Sequence, residues 1–180
     1  MNLEKAIKIA VEAHTGQVDK GGNPYILHPL RVMLSLDLEE ERIVGVLHDV
    51  VEDCAPKGYM WDREDFSHFY LLSKEQQPEK NTWEYLIEAG LDERLFDALQ
   101  SVSKTPEEEA EYQSLPEDEK LGHYLAFIQR AKANEIGRNV KAADIRDNLD
   151  ISRIGEMTER DVFRLNRYMN ALKALMPNMS

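Results

Sequence analysis

One short segment of the sequence concentrates groups that can bind a metal ion or transfer a proton. His48 and Glu52 are four residues apart, and so are Asp49 and Asp53, so on a helix each pair lies one turn apart on neighbouring rows. Residues 48–53 contain no lysine or arginine, and clustered carboxylates repel one another unless a cation lies among them. The pattern indicates a divalent metal site. The alternative at this point is a solvated acidic helix face, which runs of charge usually form.

Two other segments carry residues that can complete such a site. His28 opens the helix before this segment, and Asp144 lies four residues before Asn148 on a later helix. The candidate ligands are two imidazoles and two carboxylates: His28, His48, Asp49 and Asp144. That mixture of nitrogen and hard oxygen donors suits a six-coordinate ion such as Mn²⁺, Fe²⁺ or Co²⁺, with positions left for water and substrate. Glu52 and Asp53 would then support the ligands or act as acid and base.

Helices are the elements that the hydropathy pattern supplies to position these groups. Apolar residues recur at i, i+3, i+4, i+7 and i+8 from Ile43, which predicts a strong helix over 39–53. A similar stripe runs from Leu3 to His14, and residues 121–151 read as one or two helices. No segment shows sustained period-two alternation, so we expect no sheet. The predicted class is all-α, a single-domain helical bundle.

Capping residues and breakers mark the ends of the predicted helices. Pro29 is expected at the first position of the second helix. Asn81 or Thr82 can cap a short helix that stops at Gly90, and Asp92 can cap the next. The remaining signals are a capping box at Thr105–Glu108 with Pro106 inside it, a break at Pro116, and a cap at Thr158. Residues 54–80 are irregular and are expected to form a long, partly helical insertion, as lids and mobile loops do.

Composition limits the classes of protein that remain. The chain has 180 residues, which fits one domain over 1–180. Its formal charge of −12 argues against binding nucleic acid or anionic membranes through clustered cations. A single cysteine, Cys54, excludes an internal disulfide and fits a reducing compartment. With no apolar run of about 18 residues and no signal-peptide pattern, a cytoplasmic protein is expected, and the sequence leaves the oligomeric state open.

Several motifs in a fixed order carry a family resemblance. They are HTGQ at 14–17, PYILHP at 24–29, LHDVVED at 47–53 and KAAD at 141–144, followed by Asn148. With this order and these distances the chain resembles the HD-domain hydrolases of the RelA/SpoT type. The motifs cover roughly residues 3–53 and 137–151, and the length of the chain is similar to that of the stand-alone small alarmone hydrolases of this group.

The resemblance implies an HD-type helical fold around one metal ion, commonly Mn²⁺, and a hydrolase activity. The metal ligands that it implies are His28, His48, Asp49 and Asp144. Glu52 and Asp53 would position or deprotonate the attacking water, and Asn148 would help to hold the nucleotide. The family reaction removes pyrophosphate from the 3′ position of guanosine tetra- or pentaphosphate, so a phosphorylated nucleotide is the expected partner.

An acidic protein must still hold a highly anionic substrate, so local cations are required. Lys20 and Lys141 are the candidates for this role. Tyr25 is a candidate either for stacking on the substrate or for packing under the loop. For the arginines at positions 130, 138 and 146, a surface salt bridge is the favoured interpretation.

Asp19 departs from the pattern of the alarmone hydrolases, which carry an arginine and then a lysine at this place. Lys20 keeps the second cation, whereas an anion at position 19 would neither stack on guanine nor attract phosphate. Asp19 therefore favours one alternative to guanosine 3′-pyrophosphate hydrolysis, an HD phosphohydrolase for another nucleotide or phosphoester. Two further alternatives are a catalytically silent nucleotide-binding regulatory module and a helical scaffold that binds no metal tightly.

Overall fold

The computed structural model of the chain describes residues 1–19, 21–54, 59–61, 69–71, 82–153 and 156–176. Its architecture confirms the all-α class. The helices in these ranges are α1 (Leu3–Ala13), α2 (Leu27–Leu34), α3 (Glu39–Cys54), α4 (Thr82–Glu88), α5 (Glu93–Val102), α6 (Pro106–Ser114), α7 (Glu117–Ala133), α8 (Glu135–Asn148) and α9 (Glu159–Leu175), with a 3₁₀ turn at Ile151–Arg153 before the last helix.

A small sheet departs from the expectation of no strands. Strands β1 (Tyr59–Trp61) and β2 (Phe69–Leu71) pair antiparallel, with Met60 opposite Tyr70. Three-residue strands are too short to show the period-two alternation that predicts a strand from sequence. The remainder of the predicted insertion lies outside the described residues, and the single domain over 1–180 stays a prediction.

Helix α3 lies at the centre of the bundle and packs against α1, α2, α5 and α8. The apolar stripe that begins at Ile43 is buried, and Val46, Leu47 and Val50 are fully enclosed. Gly45 leaves room for the side chain of Leu36, just after α2, because a Cβ at this position would lie 2.7 Å from Leu36 Cδ1. Burying one stripe of α3 leaves its flank of acidic residues and His48 directed at the neighbouring helices.

Most of the helix ends fall where the capping signals predicted them. Asp92 accepts a hydrogen bond from Leu95 N, and both Thr105 and Thr158 form capping boxes. Two boundaries differ. Helix α2 begins at Leu27, so Pro29 is its third residue rather than its first. The 121–151 region is two helices, which begin earlier than predicted and are separated at Asn134, whose side chain caps α8 by accepting from Gly137 N.

None of the helices in the described ranges is both long and apolar enough to cross a membrane.

Candidate metal and substrate site

Helices α2, α3 and α8 bring the four predicted ligands together. His28 Nε2 lies 3.3 Å from Asp144 Oδ1 and 3.5 Å from Asp49 Oδ2. His48 Nε2 lies 3.2 Å from Asp49 Oδ1 and 3.7 Å from Asp144 Oδ1. One ligand atom from each of His28, His48 and Asp144 lies within 4.8 Å of the other two, a grouping that can hold a metal ion. Asp49 contacts both imidazoles of this group.

Local packing explains how residues so distant in sequence converge. His48 and Asp49 follow one another on α3, which presents them beside α8 once its apolar stripe is buried. On α8, Ala142 and Ala143 are buried immediately before Asp144, so the two backbones approach closely. His28 is the second residue of α2, a helix that packs on both.

The proton position on the His48 imidazole leaves a lone pair directed into the group when the ring is neutral. His48 Nδ1 lies 2.8 Å from the carbonyl oxygen of Gly45, which can only accept, so the Nδ1 atom carries the proton. In the neutral ring, Nε2 is then a bare lone pair. That Nε2 atom is buried and has no hydrogen-bond partner among the described residues. A lone pair that faces two carboxylates is satisfied by a cation, so the donor set fits a divalent metal.

Electrostatics around the imidazoles lead to the same conclusion. Burial opposes a charge on His28, but the interactions with Asp144, Asp147 and Asp49 outweigh it and raise the pKa of His28 to about 10. Burial also opposes a charge on His48, and Asp49 and Asp144 again outweigh it, so its pKa is raised. The carboxylates therefore favour positive charge at both imidazoles, and a divalent ion supplies that charge when the imidazoles are neutral ligands.

The two candidate carboxylate ligands stay ionised in spite of burial. Burial would raise the pKa of Asp144, but Lys141 and the imidazoles lower it well below its usual range. Lys141 Nζ lies 2.8 Å from Asp144 Oδ2 and makes a buried ion pair with it. Burial would likewise raise the pKa of Asp49, and His48 and His28 outweigh it and lower the value. Both groups are available as anionic donors at neutral pH.

Glu52, one turn after His48, differs from the ligands in its environment. Its Oε1 accepts a hydrogen bond of 2.7 Å from the backbone amide of Lys104. Burial raises the pKa of Glu52, and the charge of Asp49 adds to the effect, against the opposing charges of Lys141 and Lys104. A carboxylate with a raised pKa is a stronger base than an ordinary glutamate. Asp53 belongs to α3, but its side chain lies outside the described part of the chain.

A cavity of about 390 Å³ opens beside the ligand group. Four of its lining residues carry candidate ligand or base groups, and we call them together the ligand wall: His28, Asp49, Glu52 and Asp144. Four cations and two tyrosines also line the cavity, and we call them the cationic wall: Lys104, Lys141, Arg164, Arg167, Tyr124 and Tyr168. The Arg167 guanidinium lies 4.8 Å from the centre of the Tyr124 ring and 5.4 Å from that of Tyr168. The cavity therefore joins a metal-type site to cations and aromatic rings.

The structure places three of the four predicted substrate contacts at this cavity. Tyr25 and Asn148 line it, as Lys141 does. Each also touches a candidate ligand: Tyr25 Oη donates to Asp49 Oδ2 at 2.7 Å, and Asn148 Nδ2 donates to Asp144 Oδ1 at 2.6 Å. Lys20, the fourth, lies outside the described residues. Arg130 instead pairs with Glu108 and with the carbonyl of Ser103.

Sequence reasoning missed most of the cationic wall. Neither Lys104 nor the polar face of α9 is among the predicted site residues. Arg164, Arg167 and Tyr168 lie three and four residues apart, so they share one face of α9. That spacing is the signal that could have indicated a second functional face.

Asp19 also lines the cavity, at the turn between α1 and α2. Its Oδ1 accepts hydrogen bonds from Gly21 N at 2.8 Å and from Asn23 N at 2.9 Å. The carboxylate therefore organises the turn in which it lies, as aspartate commonly does.

Comparison with known proteins supports the predicted resemblance. No family model matches the chain. A guanosine-3′,5′-bis(diphosphate) 3′-pyrophosphohydrolase from Borreliella burgdorferi is 46% identical over 57 residues, which is 29% of this chain. The enzyme of the same name from Vibrio cholerae is 39% identical over 56 residues. A GTP pyrophosphokinase from Myxococcus xanthus is 44% identical over 55 residues.

These matches confirm the similarity to RelA/SpoT proteins over about 55 residues. The matched stretch is 6% to 8% of the length of the curated relatives. The relatives carry names of both hydrolases and synthetases, so activity and substrate are matters for proposal.

Proposed function

We propose that this protein is a metal-dependent phosphohydrolase that removes pyrophosphate from the 3′ position of guanosine 3′,5′-bis(diphosphate). The observation that carries the proposal is the ligand group itself, in which the Nε2 atoms of His28 and His48 face Asp49 and Asp144. An acidic helix face in solvent would not bury both imidazoles and a carboxylate. Relatives named for this reaction add support.

His28, His48, Asp49 and Asp144 would hold the metal, with Mn²⁺ as the proposed ion. A divalent ion bound there lowers the pKa of a coordinated water and offsets charge on the attacked phosphoryl group. Glu52 lines the same cavity and would take the proton of the attacking water, and we assign Asp53 to the same acid and base work. Lys104 keeps Glu52 in place through its backbone amide.

The cationic wall would bind the phosphates of the substrate. Arg164 and Lys104 line the cavity, each also paired with a neighbouring acid, Asp161 and Glu109. Their positive charge would offset the overall acidity of the chain for an anionic ligand. Tyr25, Lys141 and Asn148 remain proposed contacts, along with Lys20. A small phosphorylated nucleotide is the proposed partner, and the cytoplasm the proposed location.

Asp19 favours a second candidate, an HD phosphohydrolase acting on another nucleotide or phosphoester. Its carboxylate stands at the cavity edge, where it would repel a phosphate and would offer no cationic surface for a guanine ring. The metal chemistry in this candidate is unchanged, and only the substrate differs.

The decisive experiment measures phosphate and pyrophosphate release from a panel of nucleotides with Mn²⁺ and with a chelator. The panel contains guanosine tetraphosphate, NADPH, and nucleoside mono-, di- and triphosphates. We expect manganese-dependent pyrophosphate release from the tetraphosphate, and its complete loss in Asp49→Ala. The matched control is Asp97→Ala, an exposed aspartate on α5, which should retain full activity.

Each outcome separates the candidates. Turnover of a different panel member would support the second candidate, in which the metal-dependent hydrolysis is the same and the substrate is another compound. If the protein binds Mn²⁺ but releases neither phosphate nor pyrophosphate from any panel member, a catalytically silent nucleotide-binding module is favoured. Asp49→Ala with unchanged metal binding and turnover would contradict the ligand assignment.

A further inference from the structure

The two ring nitrogens of His28 both face one turn of α8. Asp144 approaches Nε2 at 3.3 Å, and Asp147, three residues later, approaches Nδ1 at 2.7 Å. Asp144 is a proposed metal ligand, whereas Asp147 lies on the opposite side of the imidazole from the ligand group. Asp147 therefore contacts the nitrogen that a metal would leave unoccupied.

Arg31 holds the other side of Asp147. Its Nε donates to Asp147 Oδ1 at 2.6 Å, and its second guanidinium nitrogen donates to Oδ2 at 3.1 Å. This two-pronged geometry is the strong form of the arginine–carboxylate pair. Arg31 is three residues after His28 on α2. Asp147 on α8 therefore contacts two residues of α2, Arg31 and His28.

The difference in burial between Asp147 and Arg31 indicates that Arg31 stabilises Asp147, which in turn contacts His28. The Asp147 side chain is 10% exposed and that of Arg31 is 37% exposed. A largely buried carboxylate is stable as an anion only with a paired charge, which Arg31 supplies from the surface. An ionised Asp147 only accepts hydrogen bonds, so Nδ1 of His28 keeps its proton, and when a metal ion replaces the proton on Nε2 the lone pair of that nitrogen faces Asp49 and Asp144.

We propose that Arg31 and Asp147 form a positioning pair that fixes the ring orientation and the tautomer of His28 for metal binding. This inference rests on the metal site of the proposed function and does not depend on which substrate is hydrolysed. Metal-binding histidines commonly donate their other nitrogen to a carboxylate, and loss of that partner typically lowers metal affinity by about 10- to 100-fold. A purely structural ion pair between α2 and α8 would change thermal stability and leave metal binding unchanged.

The test measures the dissociation constant for Mn²⁺ by calorimetry, and the visible spectrum of the Co²⁺-loaded protein, on the full chain without substrate. We expect Asp147→Ala to raise the dissociation constant by about 10- to 100-fold and to change the Co²⁺ spectrum. Asp147→Asn is nearly isosteric and keeps an acceptor for Nδ1 without the charge, so it should give a smaller rise. It also guards against misfolding of the alanine variant.

Arg31→Gln should weaken Mn²⁺ binding in the same direction by a smaller factor, because Asp147 remains. If Arg31 acts through Asp147, the Arg31→Gln/Asp147→Ala double variant should bind no more weakly than Asp147→Ala alone. The matched control is Arg94→Gln, which removes an exposed 2.8 Å pair with Glu40 on the surface and should change neither readout.

Unchanged Mn²⁺ affinity and Co²⁺ spectrum in folded Asp147→Asn and Asp147→Ala would overturn the inference. Additive effects of Arg31→Gln and Asp147→Ala would also overturn the pairing. If the unaltered protein binds Mn²⁺ and the variants behave as expected but no nucleotide is hydrolysed, the proposed function fails and the positioning pair stands. If the unaltered protein binds no divalent ion, both fail.

Discussion

The two walls of the cavity differ in how tightly the fold constrains them. On the ligand wall, His28 and Asp144 are at most 8% exposed, and helices of the central bundle hold them. On the cationic wall, Lys141 is equally buried, whereas the side chains of Arg164 and Lys104 are 23% and 20% exposed and pair with the neighbouring acids Asp161 and Glu109. The ligand wall is therefore more enclosed than Arg164 and Lys104, whose long side chains have more room to adjust.

This difference indicates a division of labour. The ligand wall carries buried charges that only a narrow range of partners can satisfy, so changes there should affect the chemical step or metal binding. The cationic wall carries charges on long side chains, which suit phosphorylated compounds of the right size, so changes there should affect substrate affinity. Mutations on the ligand wall should therefore lower kcat, whereas mutations on the cationic wall should raise KM.

The largest effect within this comparison is expected at Glu52. Glu52→Gln removes the proton acceptor while its side-chain oxygen can still accept from Lys104 N. We expect kcat to fall by about 10²- to 10⁴-fold, the usual contribution of a general base, with Mn²⁺ affinity and KM nearly unchanged. Steady-state kinetics and metal titration on the same preparation measure both quantities.

An unchanged kcat in Glu52→Gln would remove Glu52 from the mechanism. A loss of Mn²⁺ binding in this variant would mean that Glu52 is itself a ligand, and the distinction between ligand and base on this wall would fail. The matched control is Glu84→Gln on α4, because Glu84 does not line the cavity.

A smaller effect is expected at Arg164 on the cationic wall. A hydrogen bond to a charged group contributes about 1.5–3 kcal/mol, so Arg164→Gln should raise KM by about 10-fold or more and leave kcat and Mn²⁺ affinity close to their original values. Arg160→Gln is the matched control, because Arg160 is an exposed arginine one turn earlier on α9 and does not line the cavity.

The same kinetics can contradict the division of labour. If Arg164→Gln lowers kcat and leaves KM unchanged, the cationic wall takes part in the chemical step. If Arg160→Gln raises KM as much as Arg164→Gln does, the effect comes from the overall charge of α9 and not from a contact in the cavity.

The α3 part of the candidate site could be predicted from sequence because its signals are local. His48, Asp49 and Glu52 lie within two turns of one helix, and the buried stripe of that helix determines where they face. His28 and Asp144 lie on other helices, and the order of the motifs along the chain connected them with this group. Capping chemistry at Asp92, Thr105 and Thr158 is equally local, and those helix ends were predicted correctly.

The cationic wall could not be predicted because it depends on how α9 packs against α7 and α8. Arg164 and Lys104 are separated by 60 positions of chain, and no spacing rule connects them. Asp147 was missed for a related reason. Its role depends on Arg31 in another helix, and an aspartate beside Asn148 is equally typical of a helix end in solvent.

The smallest effect is expected at the pair of Arg130 and Glu108, which contacts the backbone next to Lys104 of the cationic wall. Arg130 pairs with Glu108 and also donates to the carbonyl of Ser103, the residue before Lys104. The hydrogen bond with Arg130 lowers the pKa of Glu108 against the opposing effect of burial. Because the pKa is lower in the folded protein, the pair stabilises the fold above the pKa of unfolded glutamate, about 4.3, and this contribution disappears as pH falls through the folded value.

Glu108→Gln should therefore lower the free energy of unfolding at pH 7 by about 0.2–1 kcal/mol, since both partners are partly exposed. The deficit relative to the unaltered protein should vanish at a pH below the folded pKa of Glu108. Thermal unfolding across pH measures it, with Glu107→Gln as the control, because Glu107 is an exposed acid in the same first turn of α6. A loss of several kcal/mol would show that the cationic wall is as tightly held as the ligand wall, and adaptable substrate binding would no longer explain the difference between them.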